Sequence, residues 1–194
     1  VQFINTYLQR TNKVVTATNP TELTFQGNKV NIASPWERIT MTEAFNRYAG
    51  IDLNSALSKN ELAPIAQKKG YTVQKDDSWE EIFHLIFLNE IEPNLGKGKP
   101  TIIHLYPASL AALSRKNGDD PRFAERFEFY IEGLELGDAY SELTDWKEQR
   151  ERFAEEDEER RRLGKIDHPI DTDFIDALKA GMPRAGGIAV GVDR

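Results

Sequence analysis

The stretch Arg126–Tyr140 limits what this chain can become more than any other. Apolar and polar side chains alternate on both sides of Glu132-Gly133, the pattern of two strands joined by a tight turn. A turn centred there sets Tyr130 opposite Glu135 and Glu128 opposite Gly137. Because successive side chains leave a strand on opposite faces, Glu128, Tyr130, Glu132, Glu135 and Gly137 share one face. Phe127, Phe129, Ile131, Leu134 and Leu136 take the other, which is expected to be the core side. A two-stranded ribbon is marginal alone, so further strands and a cover of helices must complete it.

Those elements are legible on either side. Thr40 followed by Glu43, and Ser78 followed by Glu81, are capping boxes, predicting helices over Thr40–Ala49 and from Ser78 to about Ile91. Ser58–Lys69 reads as a third helix, ended by Gly70 and marked by Pro64. Residues 40–96 are thus expected to form a helical insertion between sheet elements. Leu23–Ile32 reads as a hairpin around Gly27-Asn28, and Thr101–Tyr106 as a short buried strand. Asp145–Leu163 is a charged surface helix with acid-first pairs at Glu148/Arg152, Glu156/Arg160, Asp157/Arg161 and Glu158/Arg162. Asp171 or Thr172 caps a last helix to Ala180, and a final strand runs from Gly187. At the start, Phe3, Ile4, Tyr7 and Leu8 have the spacing of a helix's tail. The expected class is α+β, an antiparallel sheet flanked by helices.

Composition removes several functions. The chain has no cysteine, which excludes thiolate chemistry and a disulfide framework and fits a reducing cytoplasm. Its net charge of −7 gives no general attraction for DNA. No apolar run approaches the ~20 residues of a membrane span. The chain opens on Val1 without a targeting segment and closes at Arg194 directly after a strand pattern, so the expectation is an internal piece of a longer protein.

Chemistry could reside in two places. On the expected ribbon face Glu128 and Glu135 lie on a diagonal, about 7 Å apart at the backbone. Two carboxylates so placed can share a hard cation such as Mg²⁺, which proteins hold through one or two carboxylates plus substrate phosphates. The same acids also suit the wet face of an antiparallel sheet. The second place is Gly186–Arg194, where Ile188, Val190 and Val192 point one way and Gly187, Ala189 and Gly191 the other. A strand with nothing larger than methyl on one face admits a planar ligand, and Arg194 beyond it suits a phosphate. Close packing of a neighbouring element would explain the glycines equally well. The histidines His84, His104 and His168 lack metal-ligand spacing, and Ser109, Ser114 and Ser141 lack a nucleophile's context.

These residues carry a resemblance. Arg126-Phe127-Glu128-Phe129, Gly133-Leu134-Glu135-Leu136, Ser141–Asp145, Gly181-Met182-Pro183 and the closing Gly-x-Ala-x-Gly-x-Asp-Arg resemble the catalytic core of class II lysyl-tRNA synthetases. The resemblance runs from Trp36–Gly50 to the end, so residues 1–194 read as the C-terminal part of such a catalytic domain. Its closest form is the truncated paralogues that attach (R)-β-lysine to elongation factor P. Tyr106-Pro107-Ala108-Ser109, His168-Pro169-Ile170-Asp171 and Ala189, where synthetases usually have glycine, are similar to those paralogues.

The resemblance implies ATP and Mg²⁺ as cofactors. Glu128 and Glu135 would hold the Mg²⁺ bridging ATP phosphates, and Arg194, the catalytic arginine, would grip the γ-phosphate. Gly187, Ala189 and Gly191 would make room for adenosine and substrate, while Glu142 would accept the ammonium of a lysine-like side chain. Lysine or β-lysine would be activated as an adenylate and passed to a lysine of elongation factor P, in a homodimeric full-length protein. Asp138 stands where the family has asparagine, whose amide helps hold the substrate carboxylate; an ionised Asp there would repel it. The first two class II motifs are absent, so this piece alone is expected to be inert. A lysyl-tRNA synthetase core and a non-catalytic nucleotide-binding module are the competing readings.

Overall fold

Two strands distant in sequence, β4 (Glu37–Thr40) and β5 (Thr101–Pro107), lie side by side and parallel in the computed structural model. A parallel pair needs a long crossover, and the capped helices supply it. They are α1 (Met41–Ala44, widening into a π turn at Phe45–Ala49), α2 (Lys59–Lys68) and α3 (Trp79–Ile86, widening at Phe87–Ile91). The structure describes residues 15–19, 21–111, 113–162, 164, 166 and 169–194. Phe3–Leu8, Leu163 and His168 lie outside them.

Both expected capping boxes form, at Thr40/Glu43 and Ser78/Glu81, and Ser58/Glu61 makes a third. Pro64 sits inside α2 without ending it. The helices bury Phe45, Leu62, Phe83 and Ile86 against Ile39 and Ile103 of the sheet. Phe83 stacks on Phe45 with ring centroids 4.7 Å apart.

The sheet continues antiparallel through β6 (Phe123–Ile131), β7 (Leu134–Ser141) and β8 (Gly186–Val190), in the order β4-β5-β6-β7-β8. It is therefore mixed rather than wholly antiparallel, because the helical segment crosses over instead of turning back. A second sheet of β1 (Val15–Asn19), β2 (Glu22–Phe25) and β3 (Asn28–Asn31) stands apart, its β2–β3 turn at Gln26-Gly27 rather than Gly27-Asn28. After β7, the charged helix α4 (Trp146–Arg162) packs against α5 (Thr172–Ala180), which Asp171 caps. In α4 the Glu148–Arg152, Glu156–Arg160 and Asp157–Arg161 pairs form, while Glu158 pairs with Arg161. No helix among the described residues is long and apolar enough to cross a membrane.

Two features of the central ribbon differ from the sequence expectation. Tyr130 does face Glu135, but Phe129 faces Gly137 and Glu128 faces Asp138, because Leu136 is an extra residue bulged out of β7. Gly137 therefore lies on the face opposite Glu128, and Asp138 joins Glu128. The core side is also reversed. Tyr130 and Glu128 are buried under the crossover helices, whereas Phe127, Phe129 and Ile131 are half-buried and Leu134 is exposed. The aromatic alternation misled because the crossover covers the acid-bearing face at its β4–β6 end.

The tip of the β6–β7 ribbon is fixed from outside. Glu132, in the turn, accepts from the Gly98 amide at 3.0 Å and Asn28 Nδ2 at 3.0 Å. Gly96 passes so close to this ribbon that a Cβ there would meet the Tyr130 carbonyl at 2.5 Å, and its φ of +73° also favours glycine.

Candidate active site

One row of directly paired residues crosses all five strands: Ile39, Ile103, Glu128, Asp138 and Ala189. Its first two members are buried apolar residues under the helices. From Glu128 onward the row turns polar and then small. The neighbouring rows on this face carry Thr101, Tyr130 and Glu135 on one side and Arg126, Tyr140 and Gly187 on the other. The bulge at Leu136 is what places Glu135 and Asp138, three residues apart, on one face.

Arg126 binds this row together. Its Nε donates to Asp138 Oδ1 at 2.9 Å, and its Nη2 to Asp138 Oδ2 at 3.0 Å and Glu128 Oε1 at 2.8 Å. Its Nη1 donates to the Leu110 carbonyl at 2.6 Å, and the guanidinium lies 4.6 Å from the centre of the Tyr106 ring. Asp138 is thus paired in the planar, two-pronged geometry that only arginine offers.

Glu128 is 7% exposed, and its Oε2 accepts from the Tyr130 hydroxyl. Burial pushes the Glu128 pKa up, against the phenols of Tyr106 and Tyr130 and the charge of Arg126, which favour the ionised form. The same burial, with the Glu128 charge, drives the Tyr130 phenol upward. The Tyr106 hydroxyl is itself buried, and its pKa is raised first by that burial and then by the Glu128 charge. Glu92, from the short turn Glu92–Asn94 that closes the crossover, is also raised by burial and then by the charges of Glu128 and Glu135.

Glu135 is the solvent-facing partner of this pair, its side chain 40% exposed. Arg194 lies over it, donating from Nη1 to the Glu135 carbonyl at 3.0 Å, with the carboxylate 3.9 Å away. Gly187 and Ala189 do point to the Glu128 face, while Ile188 and Val190 point to the other. The strand stops at Val190, however, so Gly191 belongs to the turn that carries Arg194 back. A Cβ on Gly187 would come within 3.0 Å of Glu142 Oε1, so the bare strand leaves room for that carboxylate. Among the described residues no cation pairs with Glu142.

The reverse face also has a concavity, of about 540 Å³, along the row His104, Phe127, Ala139 and Ile188. Arg126, Tyr140 and Gly187 border it, but Glu128, Glu135 and Asp138 do not.

Two carboxylates, one sunk and one near solvent, fit a magnesium ion shared with phosphates better than an ion caged by protein. Among the described residues no three acids or histidines are arranged to hold a metal, and Mg²⁺ usually completes its shell with water and phosphate. Sequence reasoning missed Arg126, Tyr106 and Glu92. For Arg126 a signal existed, since it stands two residues before Glu128 and so on the same face. Its link to Asp138 depends on the bulge, which the alternation conceals.

Comparison with known proteins now names the class. The family model for tRNA synthetases class II (D, K and N) matches residues 2–194, and the chain belongs to that family. Within it, the chain is 41% identical over 163 residues to the elongation factor P–(R)-β-lysine ligase of Erwinia tasmaniensis, covering 83% of this chain and 50% of that protein. It is 37% identical over 174 residues to the lysine–tRNA ligase of Thermoanaerobacter pseudethanolicus, covering 90% and 34%. With the lysine–tRNA ligase of Pelotomaculum thermopropionicum the identity is 36% over 182 residues, covering 93% and 36%. The chain therefore spans between about a third and a half of the length of these curated relatives.

Proposed function

We propose that this chain forms the nucleotide- and amino-acid-binding half of an ATP-dependent ligase that activates lysine or (R)-β-lysine and transfers it to a lysine of elongation factor P. The observation that carries the reading is the placement of Glu128 and Glu135 on one sheet face beside the cleared strand of Gly187 and Ala189. The similarity to the Erwinia tasmaniensis ligase supports the acceptor.

In this reading the amino acid lies along β7 and β8. Glu142, which pairs with no cation among the described residues, receives the side-chain ammonium, and Gly187 keeps the path to it open. Glu128 and Glu135 hold magnesium, which when bound supplies positive charge to the ATP phosphates. Arg194 leaves its contact with Glu135 to take a terminal phosphate through its fork of donors. The substrate carboxylate oxygen attacks the α-phosphorus, the α–β bridging bond breaks, and pyrophosphate departs. The acceptor amine then attacks the carbonyl of the adenylate and an amide forms as AMP leaves. The protein's contribution is orientation and cancellation of charge.

Lysine–tRNA ligation is the second reading, favoured by the 90% coverage of this chain in the Thermoanaerobacter relative. ATP–pyrophosphate exchange on the full-length protein with lysine and (R)-β-lysine, followed by transfer to elongation factor P or to tRNA, separates the two. Charging of tRNA without transfer to the protein acceptor would replace the first reading by the second.

A further inference from the structure

We propose that Arg126 is the positioning residue of this site. Its single guanidinium sets the orientation of both Glu128 and Asp138 and lets Asp138 stand beside the amino-acid substrate as half of a neutral pair. The inference rests on the ligase reading above and adds to it a residue and a source of substrate tolerance.

Three observations carry it. Asp138 accepts from Arg126 through both oxygens, and the same Nη2 reaches on to Glu128. The guanidinium is itself held, by the Leu110 carbonyl and the face of Tyr106, so it does not merely follow the carboxylates. The three side chains are only 21%, 9% and 30% exposed for Arg126, Glu128 and Asp138, so water screens their charges weakly. A lone aspartate in this row would oppose a substrate carboxylate. An aspartate bound edge-on to arginine has much of its charge cancelled and opposes that carboxylate less.

The pairing also links two parts of the reaction. Glu128 belongs to the metal side, and Asp138 lies between it and Ala189, the small residue of β8. Loss of Arg126 leaves two neighbouring carboxylates without their cation, which should disturb metal and amino-acid binding together. Lysine cannot substitute, because an ammonium is a point charge without the two-pronged edge.

The test is ATP–pyrophosphate exchange on the full-length protein, with amino acid, ATP and Mg²⁺ varied separately, for Arg126→Lys, Arg126→Gln, Asp138→Asn and the double variant Arg126→Gln/Asp138→Asn. Measurements are made well below each variant's melting temperature. Arg126→Gln is expected to raise KM for the amino acid and the Mg²⁺ needed for half-maximal rate, each at least about tenfold, as the unpaired buried charge implies. The double variant should recover much of the amino-acid KM, because the uncompensated anion is gone. A purely structural role would lower the active fraction, and so kcat, without moving KM. If Arg126→Gln does not fold, Arg126→Lys decides, with the same two constants expected to rise by a smaller factor. Unaltered constants in Arg126→Lys, or a double variant whose effect is the product of the single ones, overturn this inference alone. A wild-type protein without exchange overturns it together with the ligase reading.

Discussion

Glu128 stands directly across from Asp138, not from Gly137, because Leu136 is bulged out of the strand that carries Glu135. Two acids from one strand thereby share a face with a third from its neighbour, and one arginine joins Glu128 to Asp138. If Glu128 is the inner magnesium ligand of this group, Glu128→Gln should reduce ATP–pyrophosphate exchange at least about 100-fold, the order expected for removing a group that stabilises charge at the reacting phosphates. Extra Mg²⁺ should not restore it. Glu135→Gln, at the solvent-facing position, should lose less and recover partly in a Mg²⁺ titration. Unchanged exchange in Glu128→Gln would remove the metal assignment.

Gly187 is expected to matter through what it leaves vacant. Its missing Cβ would lie 3.0 Å from Glu142 Oε1, so Gly187→Ala should displace that carboxylate. KM for the amino acid should rise about tenfold, the cost of weakening one charge-assisted contact, while KM for ATP moves little. A rise confined to ATP would assign Gly187 to the nucleotide instead.

Gly137 makes a contrasting prediction on the other face. A Cβ there would lie 2.4 Å from the Phe129 ring and 2.9 Å from the Ala189 carbonyl. Gly137→Ala should therefore destabilise the protein by about 1–3 kcal/mol, the usual cost of overpacking. Urea denaturation followed by circular dichroism measures it, and a change below about 0.5 kcal/mol, the scatter of surface substitutions, would argue against the close approach.

Glu37 ties the parallel pair together. It accepts from Arg47 at 2.6 Å and from the Thr101 hydroxyl at 2.9 Å. The Arg47 hydrogen bond, with help from Thr101, holds its pKa below the usual glutamate value despite partial burial. A depressed folded pKa contributes stability that is present above the unfolded pKa and lost as pH falls through the folded one. Glu37→Gln should thus lower Tm at pH 7, and the gap to wild type should close as the pH falls through the carboxylate range. A gap independent of pH would mean that the hydrogen-bonding shape of the side chain, not its charge, is what matters.

Two helices of the crossover were open to sequence reading because each begins with a local chemical device. Thr40/Glu43 and Ser78/Glu81 close within three residues and need no knowledge of the rest of the chain, while the helix from Ser58 was legible from its stop at Gly70. The ribbon, which the structure extends to Phe123 and Ser141, was legible over Arg126–Tyr140 as two strands and a turn. Its faces were not. Which side is buried depends on the helices between β4 and β5, and the alternation of Phe127, Phe129 and Ile131 carries no trace of that cover. The site was half-legible: Glu128 and Glu135 share a face as alternation near the turn requires, whereas the partnership of Arg126 and Asp138 needs a bulge invisible to a regular period. Arg194 was read as a phosphate-binding residue, yet in this structure it rests on Glu135, a contact between distant segments that only the folded strand order creates.

The order of strands also sets what the site depends on. The apolar end of the five-residue row joins β4 and β5, which the crossover helices cover. Its charged end depends on β8, which α4 and α5 separate from β7 along the chain. Without β8, β7 would be an edge strand, with Asp138 and Glu135 along its rim. An open edge of that kind is a template for pairing with another chain, so β8 both clears the site and closes the sheet.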